Sequence, residues 1–282
     1  MSLQIIEWLD FLESPCEQSE ECAVTIGVFD GLHLGHKELI NRVIAHGPNP
    51  TVITFRENPK KVISPETYEG DIFSLRQKIA AFESLGVSRL ILIDFSGKMS
   101  KLKGRDFIDL LEDRIKVNFM AIGSNFRCGY RQDTDANLIR EINERKGIAT
   151  EVLSPVIMPV SFGNGQELNS ADTGSAFSSS RIRSEIISGN IKQAAALMGR
   201  NIELDLSDLT PVSGRREEQD GLVYDLCSVH RITPASGHFP VLIYPGAIAG
   251  YADADNGKIF LSKPKHCCSE FDSPVERIEF IN

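Results

Sequence analysis

The sequence predicts an α/β domain with a parallel sheet covered on both faces by helices, followed by a smaller β-rich region. In the first two thirds of the chain, short apolar runs alternate with stretches that carry apolar residues at helical spacing, which is typical of βαβ units. After Arg200 the pattern changes to short apolar runs separated by Gly, Pro, Asp and Asn, which predicts small strands and turns. We therefore expect one domain at residues 1–200 and a second at 201–282.

Each element of the first domain is predicted from its own pattern. The apolar and β-branched run from Ala23 to Val28 is typical of a buried parallel strand, and helical spacing of apolar residues begins at His36. Further strands are predicted at 51–55, 89–95, 119–123, 149–153 and 156–162, and further helices at 73–86, 106–117 and about 135–146. The small, polar stretch 163–177 is predicted to be a mobile loop because it can bury little apolar surface.

Composition and charge describe an acidic globular chain. Of its 282 residues 41% are hydrophobic and 24% charged, and the formal charge is -9 with a pI near 5.3. A general nucleic-acid surface needs a basic face, which this balance disfavours. The acidic N-terminus lacks the pattern of a signal peptide, and no apolar run approaches the roughly 20 residues of a membrane helix. We expect a cytoplasmic protein that binds no nucleic acid or membrane, and no protein partner is inferred.

The six cysteines give no sign of a metal site or a disulfide framework. They form no CxxC pair and no His/Cys group at zinc spacing. The six are Cys16, Cys22, Cys128, Cys227, Cys267 and Cys268. We expect reduced thiols, with a functional role for one of them as the less favoured alternative.

The stretch AVTIGVFDGLHLGH joins the first predicted strand to a helix and predicts a nucleotide-binding site. Gly27 allows another group to approach the backbone closely, and Gly31 permits a turn that other residues disfavour. A helix start offers amide donors and a positive dipole to a phosphate, and His33 and His36 can donate to the same oxygens. Gly35 between them avoids a Cβ where the nucleotide must pass. The short HxGH string alone also fits an ordinary helix cap with two surface histidines.

Two later segments carry further candidate groups. The loop GSNFRCGYR follows a predicted strand and so lies on the same rim of the sheet, and its Asn125 can donate and accept hydrogen bonds or stabilise its own turn. In SSSRIR, serine hydroxyls can cap a helix or bind phosphate. The guanidinium groups of Arg181 and Arg183 can each donate paired hydrogen bonds to a polyphosphate. The alternative for SSSRIR is a capped helix with solvated arginines.

Taken together, these motifs resemble those of a known family. GVFDGLHLGH closely resembles the signature of the prokaryotic FAD synthetase family, whose adenylyltransferase module belongs to the HxGH nucleotidyltransferase superfamily. GSNFRCG resembles G-x-(D/N)-F-x-F-G, with Cys128 where an aromatic residue is usual, and SSSRIR resembles SSTRIR, with Ser180 in place of threonine. In the family, SSTRIR is followed by a helix, a turn and a closing LGR, and IISGNIKQAAALMGR resembles that segment. The resemblance covers roughly residues 22–200 and implies a Rossmann-like nucleotidyltransferase domain.

The resemblance implies an FMN adenylyltransferase that makes FAD and pyrophosphate from the substrates FMN and ATP. It assigns catalysis to His33, His36, Ser179, Ser180 and Arg183, further ATP binding to Gly27, Phe29, Asp30, Gly31, Gly35, Ser178 and Arg181, and FMN binding to Asn58, Asn125 and Phe126. Mg²⁺ is the expected cofactor, bound mainly through ATP phosphates and water, with no metal ligands from the protein. A phosphate oxygen of FMN is already an anion, so no protein nucleophile is expected.

The loop after the second strand departs from the family pattern. The family usually has TF-x-P-H-P where this chain has TFRENP, so Asn58 replaces an imidazole and Arg56 replaces a proline. Arg56 is therefore a candidate for a compensating phosphate contact, and a changed acceptor specificity is the alternative.

The region after Arg200 departs further. Bifunctional FAD synthetases have a riboflavin kinase β-barrel at this position, but the kinase segment G-x-P-T-A-N is missing, and the nearest string, TPASGHFP, lacks that order. We expect a monofunctional enzyme in which residues 201–282 form a degenerate kinase-like domain without kinase activity.

Other functions stay open at this point. The runner-up is another adenylyl- or cytidylyltransferase of the HxGH superfamily, and the third is a non-catalytic flavin-binding descendant. KMSKL at 98–102 resembles the lysine loop of class I aminoacyl-tRNA synthetases. It follows the third predicted strand, however, and SSSRIR already holds the position of the second phosphate motif, which disfavours a synthetase.

Overall fold

In the computed structural model the described residues are 2–13, 17–95, 97, 99–156, 177–216, 219–263, 271 and 274–281. Contacts divide the chain into two units. The first unit comprises Met1–Tyr68 and Lys78–Ala176, and the second comprises Glu69–Gln77 and Phe177–Asn282. Residues 177–200 thus group with the C-terminal strands, whereas the predicted boundary follows Arg200. As a boundary between folding domains, residue 200 stays a prediction.

The first unit is built on a six-stranded sheet in which every neighbouring pair is parallel. The strands of this part of the chain are β1 (Gln4–Glu7), β2 (Glu17–Ile26), β3 (Pro50–Phe55), β4 (Arg89–Ile93), β5 (Ile115–Gly123), β6 (Arg127–Cys128), β7 (Thr134–Asp135) and β8 (Ala149–Leu153). The helices are α1 (Trp8–Glu13), α2 (Leu34–His46), α3 (Lys60–Ile63), α4 (Leu75–Leu85), α5 (Gly104–Arg114) and α6 (Ala136–Arg145), and the first three residues of α4 group with the second unit. The predicted α/β fold with a parallel sheet is confirmed.

The order of the strands predicts where a ligand binds. The six-stranded sheet runs β1-β4-β3-β2-β5-β8, so the chain first moves from β2 to β3 and β4 and then returns to the other side of β2 with β5. In parallel α/β sheets the crevice outside the carboxyl ends of the strands, at such a reversal, is the usual binding site. The HLGH segment follows β2 directly at this point.

One cluster of buried apolar side chains packs α1, α5 and α6 against the sheet, and it includes Trp8, Phe11, Ile108, Ile139 and Ile142. Burial of these side chains stabilises the unit. Met99 and Leu102, from the KMSKL string, pack against this cluster. This contact gives both residues a structural role.

Several predicted elements differ from the structure or lie outside the described part. The helix predicted to end at Val117 ends at Arg114, because Ile115 and Val117 are buried and pair with β2 as the start of β5. Strand β1 and helix α1 were not predicted, since their short acidic sequence shows no clear period. Val156 lies in no strand, and the rest of the strand predicted at 156–162 and the loop predicted at 163–177, apart from Phe177, lie outside the described residues.

The second unit contains a seven-stranded antiparallel sheet of order β10-β11-β14-β13-β12-β15-β9, which confirms a β-rich C-terminal region. Its elements are α7 (Ser179–Ile187), α8 (Ile191–Met198), β9 (Glu203–Asp205), β10 (Val212–Arg216), β11 (Gln219–Asp225), β12 (Ser236–Tyr244), β13 (Ile248–Asp255), β14 (Lys258–Ser262) and β15 (Arg277–Phe280). Among the described helices of both units, none has the length and apolar character needed to span a membrane.

A buried carboxylate holds the segment Glu69–Gln77 to the C-terminal strands. Asp205, 1% exposed, accepts hydrogen bonds from the Ser74 hydroxyl at 2.5 Å, from Arg76 at 3.0 Å and from the Ser207 hydroxyl at 2.7 Å. Burial by itself raises the pKa of Asp205, but these hydrogen bonds outweigh burial and lower the pKa below its ordinary value of 3.8. The folded state therefore favours the carboxylate over the neutral acid.

We expect Asp205→Asn to lower the free energy of unfolding of the second unit by about 3 kcal/mol. Asparagine carries no charge, and its NH₂ group would face the Ser74 and Arg76 donors that now bind the carboxylate. Urea unfolding followed by circular dichroism measures this loss. Asp220→Asn, which alters an exposed carboxylate 3.9 Å from Arg215, is the matched control with an expected change below about 1 kcal/mol.

The stabilisation by Asp205 depends on pH. Since the pKa of Asp205 is lower in the folded than in the unfolded state, the stabilisation is complete above the unfolded pKa and disappears as the pH falls through the folded pKa. Equal stabilities of wild type and Asp205→Asn at neutral pH would contradict this role.

Candidate active site

The loop after β2 turns through a left-handed backbone. Phe29, Gly31 and Leu32 have φ angles of 50°, 80° and 43°, a region that disfavours residues with a Cβ. The side chains of Phe29 and Leu32 are each 1% exposed, and this packing holds the two residues in the strained conformation. Gly27 is needed for the same packing, because a Cβ there would lie 3.0 Å from the Phe29 ring. Asp30 is buried within the turn.

His33 and His36 lie together at the start of α2. Their rings stack with centroids 3.6 Å apart, and the Phe29 ring meets His36 edge-on at 5.2 Å. His33 is the N-cap: its Nδ1 accepts a hydrogen bond from the backbone N–H of His36 at 3.3 Å. A Cβ on Gly35 would lie 3.3 Å from the His33 ring, so this glycine makes room for the ring, while its role in making room for a nucleotide stays a prediction.

Both imidazoles are held neutral. Burial lowers the pKa of His33 from 6.5 to about 4. Burial, followed by the neighbouring His33 and Lys78, lowers the pKa of His36 well below 6.5. Since Nδ1 of His33 accepts a hydrogen bond, the proton of its neutral ring is on Nε2, which is then a donor. Nδ1 of His36 is buried without a hydrogen-bond partner, so one polar atom of the pair is unsatisfied.

A buried lysine and a threonine, neither predicted from the sequence, support the turn. Lys78 on α4 donates from Nζ to the carbonyl oxygens of Val28 and Phe55, each at 3.2 Å. The Thr54 hydroxyl donates to the same Val28 oxygen at 3.1 Å. The sequence does hold a signal for Lys78: it lies on the apolar stripe that α4 forms with Leu75 and Phe82, where a cation is unusual.

The loop after β3 lies at the carboxyl end of the strand next to β2. Asn58 is 5% exposed, and its side-chain oxygen accepts a hydrogen bond from the backbone N–H of Lys60 at 3.1 Å, so it fixes the start of α3. Arg56 forms an ion pair with Glu7, in which its Nε lies 3.3 Å from the carboxylate. This pairing occupies the group that was the candidate for a compensating phosphate contact. The FMN contact predicted for Asn58 stays a prediction.

The loop after β5 lies on the same edge of the sheet. Asn125 is exposed, as a ligand-binding side chain requires, while Phe126 is partly buried and packs against the core cluster. Cys128 also packs there, and burial raises the pKa of its thiol to about 12. Cys22, Cys128 and Cys227 are free cysteines, and the other three cysteines lie outside the described residues.

The SSSRIR motif lies in the second unit, at the start of α7. Ser178 is the N-cap, and its hydroxyl accepts a hydrogen bond from the backbone N–H of Arg181 at 3.3 Å. Ser179 is partly buried and Ser180 exposed. Arg183 is 5% exposed and donates from Nε to the carbonyl of Gly70 at 2.8 Å. The capped helix is therefore confirmed, one arginine bonds to the backbone of the 69–77 segment, and phosphate binding by the motif stays a prediction.

Anion binding by the histidine pair stays a prediction, and the local geometry is compatible with it. The first turn of α2 adds backbone N–H groups and the positive end of a helix dipole to the Nε2–H of His33. A cleft of about 1120 Å³ in the second unit, lined among others by Arg76, Tyr224 and Glu276, contains none of the predicted site residues. The chemistry predicted from HLGH therefore belongs to the edge of the parallel sheet.

Comparison with known proteins identifies relatives of this chain. The sequence profile of the FAD synthetase family matches residues 16–161. The bifunctional riboflavin kinase/FMN adenylyltransferase of Buchnera aphidicola is 26% identical over 189 residues, which cover 65% of this chain and 56% of the relative. The FAD synthetase of Listeria monocytogenes is 25% identical over 190 residues, which cover 66% of this chain and 72% of the relative. The match thus spans little more than half the length of the bifunctional relative.

A solved structure has a similar fold. It is that of a macrolide-efflux protein from Streptococcus pneumoniae, with a TM-score of 0.74 and 18% identity, and the match covers 99% of this chain and 89% of that protein. At this identity the likeness concerns the fold alone. The family profile, in contrast, matches more than half of the chain and includes the turn, the histidine pair and the loops after β3 and β5. The chain belongs to the FAD synthetase family.

Proposed function

We propose that this protein is an FMN adenylyltransferase that transfers the AMP group of ATP to FMN and releases pyrophosphate. The observation that carries the proposal is the stacked pair of neutral histidines at the start of α2, with the Nε2 proton of His33 fixed by the amide of His36. The pair lies where the strand order reverses, which is where a nucleotide is expected to bind. Family membership supports this function.

In the proposed reaction a phosphate oxygen of FMN attacks the α-phosphorus of ATP. The bond from that phosphorus to the oxygen bridging the α- and β-phosphates breaks, and its electron pair leaves with pyrophosphate. Negative charge spreads over the phosphate oxygens in the transition state, so donors aimed at them accelerate the step. His33 and His36 are assigned this role, with the N-terminus of α2 adding its amides. A neutral imidazole keeps one ring N–H, so each ring can still donate one hydrogen bond in this state.

Ser179, Ser180 and Arg183 are proposed to bind the β- and γ-phosphates, with Ser178 and Arg181 beside them. In the described part of the chain no three His, Cys, Asp or Glu side chains are grouped to hold a metal ion. Mg²⁺ is proposed to bind mainly through phosphate oxygens and water and to neutralise charge on the triphosphate.

The proposed function is tested by incubating the purified protein with FMN, ATP and Mg²⁺ and separating FMN from FAD by chromatography. We expect FAD to accumulate, and an arm with EDTA to give none. A CTP arm tests the superfamily alternative, because a cytidylyltransferase would consume CTP in preference to ATP. Tight FMN binding with no FAD under any metal or flavin concentration would show a non-catalytic flavin-binding protein and overturn the proposal.

We propose further that the enzyme is monofunctional. The string nearest to the missing kinase motif is TPASG. Its Thr233 is buried, with 8% of its surface exposed, and the backbone of Ala235 forms hydrogen bonds with the backbones of Ile187 and Asn256. These contacts give the segment a structural role, and the threonine and asparagine of the family's kinase motif have no recognisable counterparts in the sequence. In an arm with riboflavin in place of FMN we therefore expect neither FMN nor FAD. Enzyme-dependent FMN in stoichiometric amount would contradict this part of the proposal.

A further inference from the structure

Lys78 is a cation in an unusual place. Its side chain is only 5% exposed, and its ammonium donates to two backbone carbonyls that are 50 and 23 residues away in the sequence. A lysine is almost never buried to this degree without a specific set of partners. The two carbonyls belong to Val28 and Phe55, which lie at the carboxyl ends of the neighbouring strands β2 and β3. Lys78 thus joins the starts of two loops.

The loop that starts at Val28 needs such a constraint. Its next residue, Phe29, has a φ of 50°, and Leu32 has a φ of 43°, conformations that cost energy and persist only where surrounding contacts hold them. At Val28 the carbonyl oxygen has left the β2–β3 ladder and instead accepts two hydrogen bonds, from Lys78 and from Thr54. At the end of this strained turn, the backbone N–H of His36 donates a hydrogen bond to Nδ1 of His33, and this cap holds the turn. Lys78 therefore fixes its beginning.

We propose that Lys78 is a positioning residue for adenylyl transfer: by binding the Val28 and Phe55 carbonyls, its ammonium fixes the loop that carries His33 and His36 relative to the loop that carries Asn58. The proposal rests on the proposed function for its consequence, since these loops are assigned to the two substrates. Lys78 acts through the backbone and contacts no substrate in this account. Small displacements of reacting groups reduce rates steeply, so a residue that fixes both loops affects turnover.

The charge of Lys78 has a second effect on the pair. Together with burial and the neighbouring His33, it lowers the pKa of His36. Removing the ammonium should therefore raise the pKa of His36 toward its ordinary value, although burial keeps it below 6.5. This effect gives a spectroscopic signature that a purely structural lysine on a distant surface would not produce.

The test variant is Lys78→Met, which preserves most of the side-chain volume but removes the donor and the charge. The control is Ile142→Ala, which destabilises the core cluster through α6. At a temperature where both variants are folded, we expect Lys78→Met to lower kcat for FAD formation by roughly 10- to 100-fold, with KM for ATP within about threefold. Ile142→Ala should keep kcat within about twofold. Equal kcat values for the two variants would overturn the proposal.

A second readout needs no activity. In the ligand-free protein, the NMR ring signals of His33 and His36 should shift in Lys78→Met and should keep their wild-type positions in Ile142→Ala. Unchanged ring signals in Lys78→Met would overturn the positioning role, whereas absence of FAD formation by the wild type would instead overturn the proposed function. If Lys78→Met does not fold, Thr54→Val removes the other donor to the Val28 oxygen with little change of shape. It should lower kcat by roughly threefold or more, and an unchanged kcat would contradict the proposal.

Discussion

Replacing His36 with alanine is expected to lower kcat for FAD formation by about 10²–10³-fold, the loss typical of removing one preorganised donor to a developing oxyanion. The ring of His36 stacks on His33 and has an unsatisfied buried nitrogen. Because its assigned contacts are to the reacting triphosphate, the Kd for FMN should stay within about twofold. Steady-state kinetics and flavin fluorescence titration measure the two quantities.

The control for this variant lies on the same helix. His46 is exposed at the last turn of α2, where it stacks on Phe119 at 3.9 Å, and His46→Ala should leave kcat within about twofold. A His36→Ala variant that lost FMN binding but kept its turnover would show that the two substrates are assigned to the wrong loops.

His33→Asn is expected to separate the structural role of His33 from its catalytic role. Asparagine is among the best N-cap residues, and its side-chain oxygen can accept the amide of His36 as Nδ1 does now. It carries no group equivalent to the Nε2–H donor. We expect kcat to fall by about 100-fold or more while the melting temperature stays within about 2 °C of the wild type.

His33→Ala completes this comparison because it removes both the cap and the donor. Its kcat should fall as far as that of His33→Asn, but it should also lose about 1 kcal/mol of stability, the usual cost of an N-cap. If His33→Asn kept wild-type turnover, His33 would be a helix cap alone.

The fold of the first unit was largely predictable because its signals are local. Strand β3 and helix α6 follow directly from apolar spacing and bounding turn residues, and HLGH could be placed at a strand-to-helix turn. The end of α5 was placed wrongly because Ile115 and Val117 continue an apolar pattern that fits a helix or a strand equally well. Only their pairing with β2, nearly 100 residues earlier in the chain, decides between the two.

The contacts that hold the site are less predictable because they join distant parts of the sequence. A lysine on an apolar stripe signals a special environment, but its carbonyl partners on Val28 and Phe55 depend on the packed sheet. The same holds for Ser74 and Asp205, which are 131 residues apart and bring the segment Glu69–Gln77 into the second unit. For SSSRIR, both the cap and phosphate binding fit the sequence, and the structure confirms the cap.

The central claim is that FMN takes the adenylyl group of ATP, with its α-phosphorus, directly. It is tested most directly by incubating the wild-type protein with Mg²⁺ and ATP labelled with ³²P at the α-position, with and without FMN. With FMN, the account predicts label in FAD and one pyrophosphate released per FAD. Without FMN, it predicts no label on the protein, because no side chain acts as a nucleophile. Label that stays in ATP when FMN is present, or that becomes covalently attached to the protein, would contradict the account.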